Sequence, residues 1–368
     1  MHSWPDCKEI AGGSQVESRP LARPRTDPYT GAVAPSFDPL TPQAVIAAVE
    51  QAYGRALDGT LNPLPSYVNR VYGLRREDGS EFVAKFYRPG RWSREAILDE
   101  HRFLLDCARA ELPVVPPLPD GEGHTLAELT VADGAEETEF LFALFPKRGG
   151  RNFDAESAAD WKRLGGVIGR CHAVGAAGTA PYREDCLPEK LTAGFLREIH
   201  SAGLVHPDCR QEFDAVCAEA LELITPLFQG VALQRVHGDC HRGNILDRPG
   251  EGLLLLDFDD LLNAPTVQDL WLLLPGRAAD CRREISLVLD GYSRFREFDP
   301  AALGLIEPLR FMRLVYFLAW RSRQRHDHWF AKAFPEWGSK AFWIQETEDL
   351  GDQLEVIREA LEDGPPRV

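Results

Sequence analysis

The chain has no Cys-x-x-Cys pair, no run of about 18 apolar residues, no internal repeat and no low-complexity block. Its eight cysteines (Cys7, Cys107, Cys171, Cys186, Cys209, Cys217, Cys240 and Cys281) are scattered, which argues against a zinc knuckle and a disulfide framework and fits a reducing cytoplasm. Without a long apolar run no membrane span is expected. The first residues are polar rather than apolar, so an unexported cytoplasmic protein is expected. Positive charge is also scarce: 41 Lys and Arg stand against 57 Asp and Glu, a net charge of −16. That balance disfavours nucleic acid and anionic membrane as partners. At 368 residues, 44% of them hydrophobic, the chain can form about two domains with a sizeable core.

Chemistry is concentrated between Val236 and Asp260. His237-Gly238-Asp239 is followed by Asn244-Ile245-Leu246, and after Pro249-Gly250 the apolar run Leu253–Leu256 predicts a short buried strand ending at Asp257-Phe258-Asp259-Asp260. Phosphoryl transfer needs a carboxylate to orient the attacking hydroxyl and accept its proton, and oxygen ligands for magnesium. Asp239 and Asn244 match the His-x-Asp-x-x-x-x-Asn spacing of a kinase catalytic loop, and Asp257-Phe258-Asp259 stands where such loops are followed by Asp-Phe-Gly. A surface turn bearing solvated acids explains one aspartate at a time, not the ordered set.

Residues 1–38, rich in proline and poor in large apolar residues, predict a flexible tail. Thr41-Pro42 opens a helix that Gly54 ends. Asn62–Ser66 reads as a loop before a hairpin of strands Tyr67–Leu74 and Phe82–Tyr87, turning at Glu77-Asp78-Gly79. Alternation puts Lys85 on the face of Val83 and Tyr87, where a lysine needs an anion. On the helix opening at Ser93, Glu100 has only Ala96, Ile97, Phe103 and Leu104 as helical neighbours, so it points to the core and pairs best with Lys85. Asp99, three residues before Arg102, reads as a solvated acid.

Strands are expected near Thr125–Leu129 and Phe140–Phe145, and the Pro/Gly-rich link after Phe145 is the expected boundary between domains 39–146 and 147–368. Core helices are expected over Asp154–Ala177 and Asp208–Phe228, with His172 a hydrogen-bonded structural residue. Asp269, near the start of another helix, either caps it or binds the catalytic-loop backbone. Helices should also cover Ile306–Arg323 and Ala341–Leu361. Arg321, Arg323, Arg325, His326 and His328 read as a solvated face.

The run His237–Leu246 with Asp257–Asp260 resembles the aminoglycoside phosphotransferase and choline kinase family. Leu64–Tyr72, Val83–Pro89, Pro265–Trp271 and Leu305–Arg310 narrow the resemblance to its bacterial stress-response protein kinases, across roughly residues 40–350. It implies an α+β, protein-kinase-like two-lobed fold: a small N-terminal lobe with an antiparallel sheet and a helix, and a larger, mostly helical C-terminal lobe. It also implies an ATP- and Mg2+-dependent serine/threonine kinase acting on a protein substrate, expected to be a monomer. Asp239 would be the catalytic base, Asn244 and Asp257 the metal ligands, and Lys85, Glu100 and Ser66 the nucleotide-binding residues. The region over the nucleotide lacks the Gly-rich pattern of protein kinases and offers Ser66 instead. Two rival readings are a small-molecule kinase with the same machinery and an inactive scaffold; the complete set of five charged and amide residues argues against the second.

Overall fold

The computed structural model describes residues 37–133, 136–327 and 330–364. Most of the expected tail, Cys7 and His328 lie outside them. The described residues form two compact units. One runs up to Arg151 and takes in Leu254–Leu256; the other comprises Asn152–Leu253 and the residues from Asp257 on.

In the first unit α1 (Pro42–Tyr53) starts where expected, with the Thr41 hydroxyl accepting the Ala44 N–H at 3.2 Å and Gly54 closing the helix. It precedes β1 (Leu57–Leu64), β2 (Arg70–Arg76), β3 (Glu81–Phe86), α2 (Arg94–Arg109), β4 (Ala127–Asp133) and β5 (Glu136–Pro146). The strands form one antiparallel sheet in the order β1-β2-β3-β5-β4. Strand β1 corrects the reading of Asn62–Ser66 as wholly loop. Pro63 is tolerated there because β1 is an edge strand, where a missing N–H need break no ladder. Strand β2 begins at Arg70 rather than Tyr67, because the carbonyls of Tyr67 and Val68 accept instead from the Arg88 guanidinium, at 3.3 and 2.9 Å.

Alternation along β3 sorts its side chains. Phe82, Ala84 and Phe86 join Val45, Val49 and Tyr53 of α1 in one core, where Phe86 stacks on Phe142 at 4.7 Å. Lys85 and Tyr87 fall on the opposite face, and Tyr87 packs with Ile97 of α2.

After β6 (Arg151–Asn152) the chain continues with α3 (Ala158–Ala176), α4 (Ala193–Ser201), α5 (Arg210–Ile224), β7 (Gln234–Val236), β8 (Ile245–Arg248), β9 (Gly252–Leu255) and β10 (Leu262–Ala264). Helices α6 (Val267–Trp271), α7 (Arg282–Tyr292), α8 (Ile306–Gln324), α9 (Phe330–Ala333) and α10 (Lys340–Asp363) follow. A capping box of Ser157 and Asp160 starts α3 at Ala158, later than Asp154. Phe213, Phe311, Val315, Trp343 and Ile357 centre a helical core. Among the described residues no helix is long and apolar enough to cross a membrane, and the described cysteines are free and buried. The arginine run of α8 is only partly a solvated face: Arg321 pairs with Glu346 at 2.5 Å and sits over Phe334 and Phe342, and Arg323 pairs with Glu198.

Helices α3 and α7 touch backbone to backbone through glycine. A Cβ on Gly165 would lie 1.9 Å from the Val288 carbonyl oxygen, and one on Gly291 would lie 2.0 Å from that of Lys162. Gly165→Ala should therefore separate the two helices and lower stability by about 1–3 kcal/mol, read as a lower urea midpoint. Gly121→Ala, which meets nothing within 4 Å, is the control that should leave the midpoint in place; equal midpoints for the two variants would refute the close approach.

Candidate active site

The first unit pairs the two residues singled out on its sheet and helix. Lys85 Nζ lies 3.3 Å from Glu100 Oε1, with the lysine side chain 10% and the glutamate side chain 2% exposed. Lys85 also sits 4.7 Å from the centre of the Tyr87 ring. The Tyr87 hydroxyl approaches the same Glu100 oxygen at 3.4 Å and His101 Nε2 at 3.0 Å, and His101 Nδ1 lies 2.8 Å from Thr125 Oγ1. Two charges taken out of water thus have each other and a polar chain behind them. Asp99 is not the solvated acid expected: it is fully buried, and its partner Arg102 covers it from the solvent side. Ser66 is exposed in the loop between β1 and β2.

In the second unit, β7 and β10 pair antiparallel, Val236 opposite Leu262, and so hold the two motif loops side by side. Asp269 of α6 clamps the first loop. Its Oδ2 and Oδ1 accept the N–H groups of His237 and Gly238, each at 2.8 Å, and His172 Nε2 approaches Oδ2 at 2.9 Å. The structure thus gives Asp269 the second of its two candidate roles and His172 the expected structural one. Gln268 donates to the Gly238 carbonyl at 3.1 Å, so α6 holds Gly238 by both its N–H and its carbonyl. Gly238 must be glycine: φ is +86°, and a Cβ would lie 1.9 Å from the Asp260 carbonyl oxygen.

Asp239 comes next, its carboxylate partly exposed. Arg313 Nη2 of α8 donates to Oδ1 at 2.5 Å, and His241 Nε2 lies 3.4 Å from Oδ2. Asn244 Nδ2 donates to the Asp239 carbonyl at 3.0 Å and approaches Oδ2 at 3.5 Å. Burial would raise the Asp239 carboxyl, but Arg313, His241 and His237 outweigh it and hold it below the usual carboxylate range. Burial, reinforced by Asp269 and Asp239, pushes the neighbouring Cys240 thiol well up, away from its thiolate form.

The second loop starts with Asp257, exposed and in the left-handed region at φ 59°, one of two described non-glycine residues with positive φ. Phe258 then turns inward, fully buried, its ring 4.3 Å from that of His237. Arg183 fixes the loop by donating to the Asp259 and Leu261 carbonyls at 2.6 and 3.3 Å. Sequence reasoning found neither Arg183 nor Arg313.

The phosphotransferase enzyme family model matches residues 60–306 of the chain. The chain belongs to this family. It is 37% identical over 325 residues to stress response kinase A of Escherichia coli K12, which covers 88% of this chain and 95% of that protein. It is 36% identical over the same shares to the serine/threonine protein kinase RdoA of Salmonella typhimurium. In fold it is similar to amicoumacin kinase hAmiN in complex with AMP-PNP, Ca2+ and Ami, with a TM-score of 0.66 at 20% identity over 84% of this chain and 93% of that one. A microcompartment-associated aminopropanol kinase matches with a TM-score of 0.64 at 18% identity, over 88% and 99%. The α+β kinase-like fold and the family resemblance expected from the sequence are thus both found.

The donors at hand in this phosphotransferase suit a hard cation. Asn244 and Asp257 offer oxygen only, and no group of three or more His, Cys, Asp or Glu side chains placed to hold a metal occurs among the described residues. Oxygen donors of this kind could hold a divalent cation such as magnesium, which keeps waters and substrate phosphates in its shell.

Both clamps should carry measurable stability. Glu100→Ala leaves Lys85 buried without its carboxylate and should cost about 3–5 kcal/mol in the first unit, measured by denaturant melts; an unchanged melt would show the pair to be dispensable. For Asp269, burial tends to raise the carboxyl, but His172, His237 and the Gly238 N–H bring it below its ordinary value. A folded-state pKa below the unfolded one adds stability above about pH 4, and that stability is lost as pH falls through the lower folded value. Asp269→Ala should therefore destabilise most at neutral pH and flatten the acid limb of the stability curve. A variant that loses the same stability at pH 7 and at pH 3 would contradict this role for the carboxylate.

Proposed function

We propose that the protein is an ATP- and Mg2+-dependent serine/threonine protein kinase of the stress response, working in the cytoplasm as a monomer. The observation that carries this reading is the match along 88% of the chain, and 95% of the relative, to stress response kinase A; the Asn244 amide, donating to the Asp239 carbonyl in the loop after β7, is consistent with it. Asp239 accepts the proton of the attacking hydroxyl and aims its oxygen. A carboxylate held below the usual range is a weak base, which suits a loose phosphoryl-transfer transition state in which the proton leaves late. Asn244 braces Asp239 through its amide N–H and, with Asp257, would hold Mg2+; the ion, when bound, would neutralise charge on the phosphate oxygens. Lys85, its ammonium fixed by Glu100, would bind a nucleotide phosphate, and Ser66 would contact the phosphates from its loop.

The second reading, a small-molecule kinase, draws on the structural similarity to amicoumacin and aminopropanol kinases. The test is to give the pure protein labelled ATP and Mg2+ with a generic protein acceptor, or with a panel of amino alcohols, sugars and aminoglycosides. The protein-kinase reading expects label on serine or threonine, removed by chelation and reduced about 10²–10⁴-fold in Asp239→Asn with nucleotide affinity kept. Efficient labelling of one small molecule, and of no protein, would overturn it.

A further inference from the structure

Arg313 stands where the acceptor must be recognised. Its guanidinium donates to Asp239 Oδ1, yet the side chain is only 16% exposed. The guanidinium carbon lies 4.9 Å from the Tyr316 ring centre and 4.8 Å from that of Phe317, so two rings of α8 fix its position. Its Nε is buried and has no hydrogen-bond partner among the described residues. Tyr316 in turn reaches Asp260 Oδ1 at 3.4 Å. Any hydroxyl that gives its proton to Asp239 is therefore bound within a few ångströms of an immobile, largely desolvated cation.

We infer that Arg313 determines acceptor specificity: it admits hydroxyls flanked by neutral or acidic groups and disfavours hydroxyls with an ammonium close by. The inference rests on Asp239 being the base. Three features support it. The Asp239–Arg313 pair is neutral as a unit, so the catalytic carboxylate itself has no spare charge with which to hold an amine; Asp260, with the Tyr316 hydroxyl 3.4 Å from its Oδ1, keeps its charge and also acts on Arg313. Like charges separated by a few ångströms in a partly desolvated site repel strongly, and the ring contacts deny Arg313 the freedom to swing away. Finally, a guanidinium is not deprotonated in a protein, so the charge that an ammonium would meet here is permanent.

The experiment compares serine peptides that differ only in the flanking residue, Glu, Ala or Lys, alongside 1-amino-2-propanol and propane-1,2-diol, all with ATP and Mg2+. Wild-type protein should turn over the Glu and Ala peptides with kcat/KM about tenfold or more above the Lys peptide. R313M and R313Q should shrink or reverse that ratio, whatever they do to the absolute rate, and R313K should keep it. Should R313M fail to fold, R313Q, which retains a donor for Asp239 without the charge, makes the same comparison. A wild-type preference for the Lys peptide, or a ratio unchanged in the neutral variants, would overturn the inference. If wild type labels no peptide, the protein-kinase reading fails by itself, and the alcohols decide about Arg313: preference for the diol that R313Q abolishes supports the role, and preference for the amino alcohol refutes it.

Discussion

The second unit depends on one buried carboxylate. Asp269 gives its two oxygens to the consecutive N–H groups of His237 and Gly238 and meets His172 from behind. An ionised carboxylate in a packed interior is costly unless its lone pairs are filled, and here donors from α3 and from the loop fill them. His172 is in place because α3 and α7 approach through glycine, and its Nδ1 meets the Tyr292 hydroxyl at the end of α7 at 3.1 Å. Helix packing is thereby converted into the orientation of a single peptide, Gly238, and the next side chain is Asp239. The loop that carries Asp239 takes its geometry from a hydrogen-bond chain anchored in the core rather than from its own short sequence.

How much of this was legible in the sequence depends on the range of the interactions. Asp239, Asn244 and Asp257 are readable because the chemistry fixes their spacing within some twenty residues. Lys85 and Glu100 are readable because strand alternation and helical neighbours each leave a charge facing apolar residues, and the Lys85–Glu100 contact bears out that logic. Arg313 is the same kind of signal left unread: a cation between Met312 and Leu314, with Phe317 one turn on, in a helix taken only as rich in aromatics. Its partner is 74 residues upstream, and nothing local names it. Arg183 gives still less, since it binds backbone carbonyls, which any residue could supply. The misreadings of Asp99 and β1 share another cause. An i,i+3 ion pair does not say which partner is covered, and a proline marks a loop only when the strand is not an edge.

Both sets of site residues solve the same electrostatic problem differently. Glu100 is almost wholly removed from water and shares its charge among Lys85 and the Tyr87 hydroxyl, while Lys85 keeps a ring beneath it. Asp239 stays partly exposed, with Arg313 on one oxygen and His241 and Asn244 near the other. The first arrangement presents a cation whose partner cannot move. The second presents a carboxylate whose charge Arg313 balances at Oδ1, while the contacts at Oδ2 are long and weak. Under the proposed function one residue must hold phosphate and the other must meet a changing hydroxyl, and those two tasks call for that difference.

Asp257 shows the same balance in the backbone. A left-handed φ is unfavourable for a residue with a Cβ, though aspartate tolerates it better than a branched side chain would. The conformation persists because the segment from Phe258 to Leu261 is over-determined: Phe258 is packed against His237, Leu261 N–H returns to the Phe258 carbonyl at 3.0 Å, and Arg183 holds the Asp259 and Leu261 carbonyls. If the chain left β9 in an extended conformation, Phe258 would be withdrawn from that pocket and the Asp259 and Leu261 carbonyls would lose the Arg183 guanidinium as donor. Relaxing one residue would therefore cost more than the strain it relieves, and Asp257 remains turned outward into solvent.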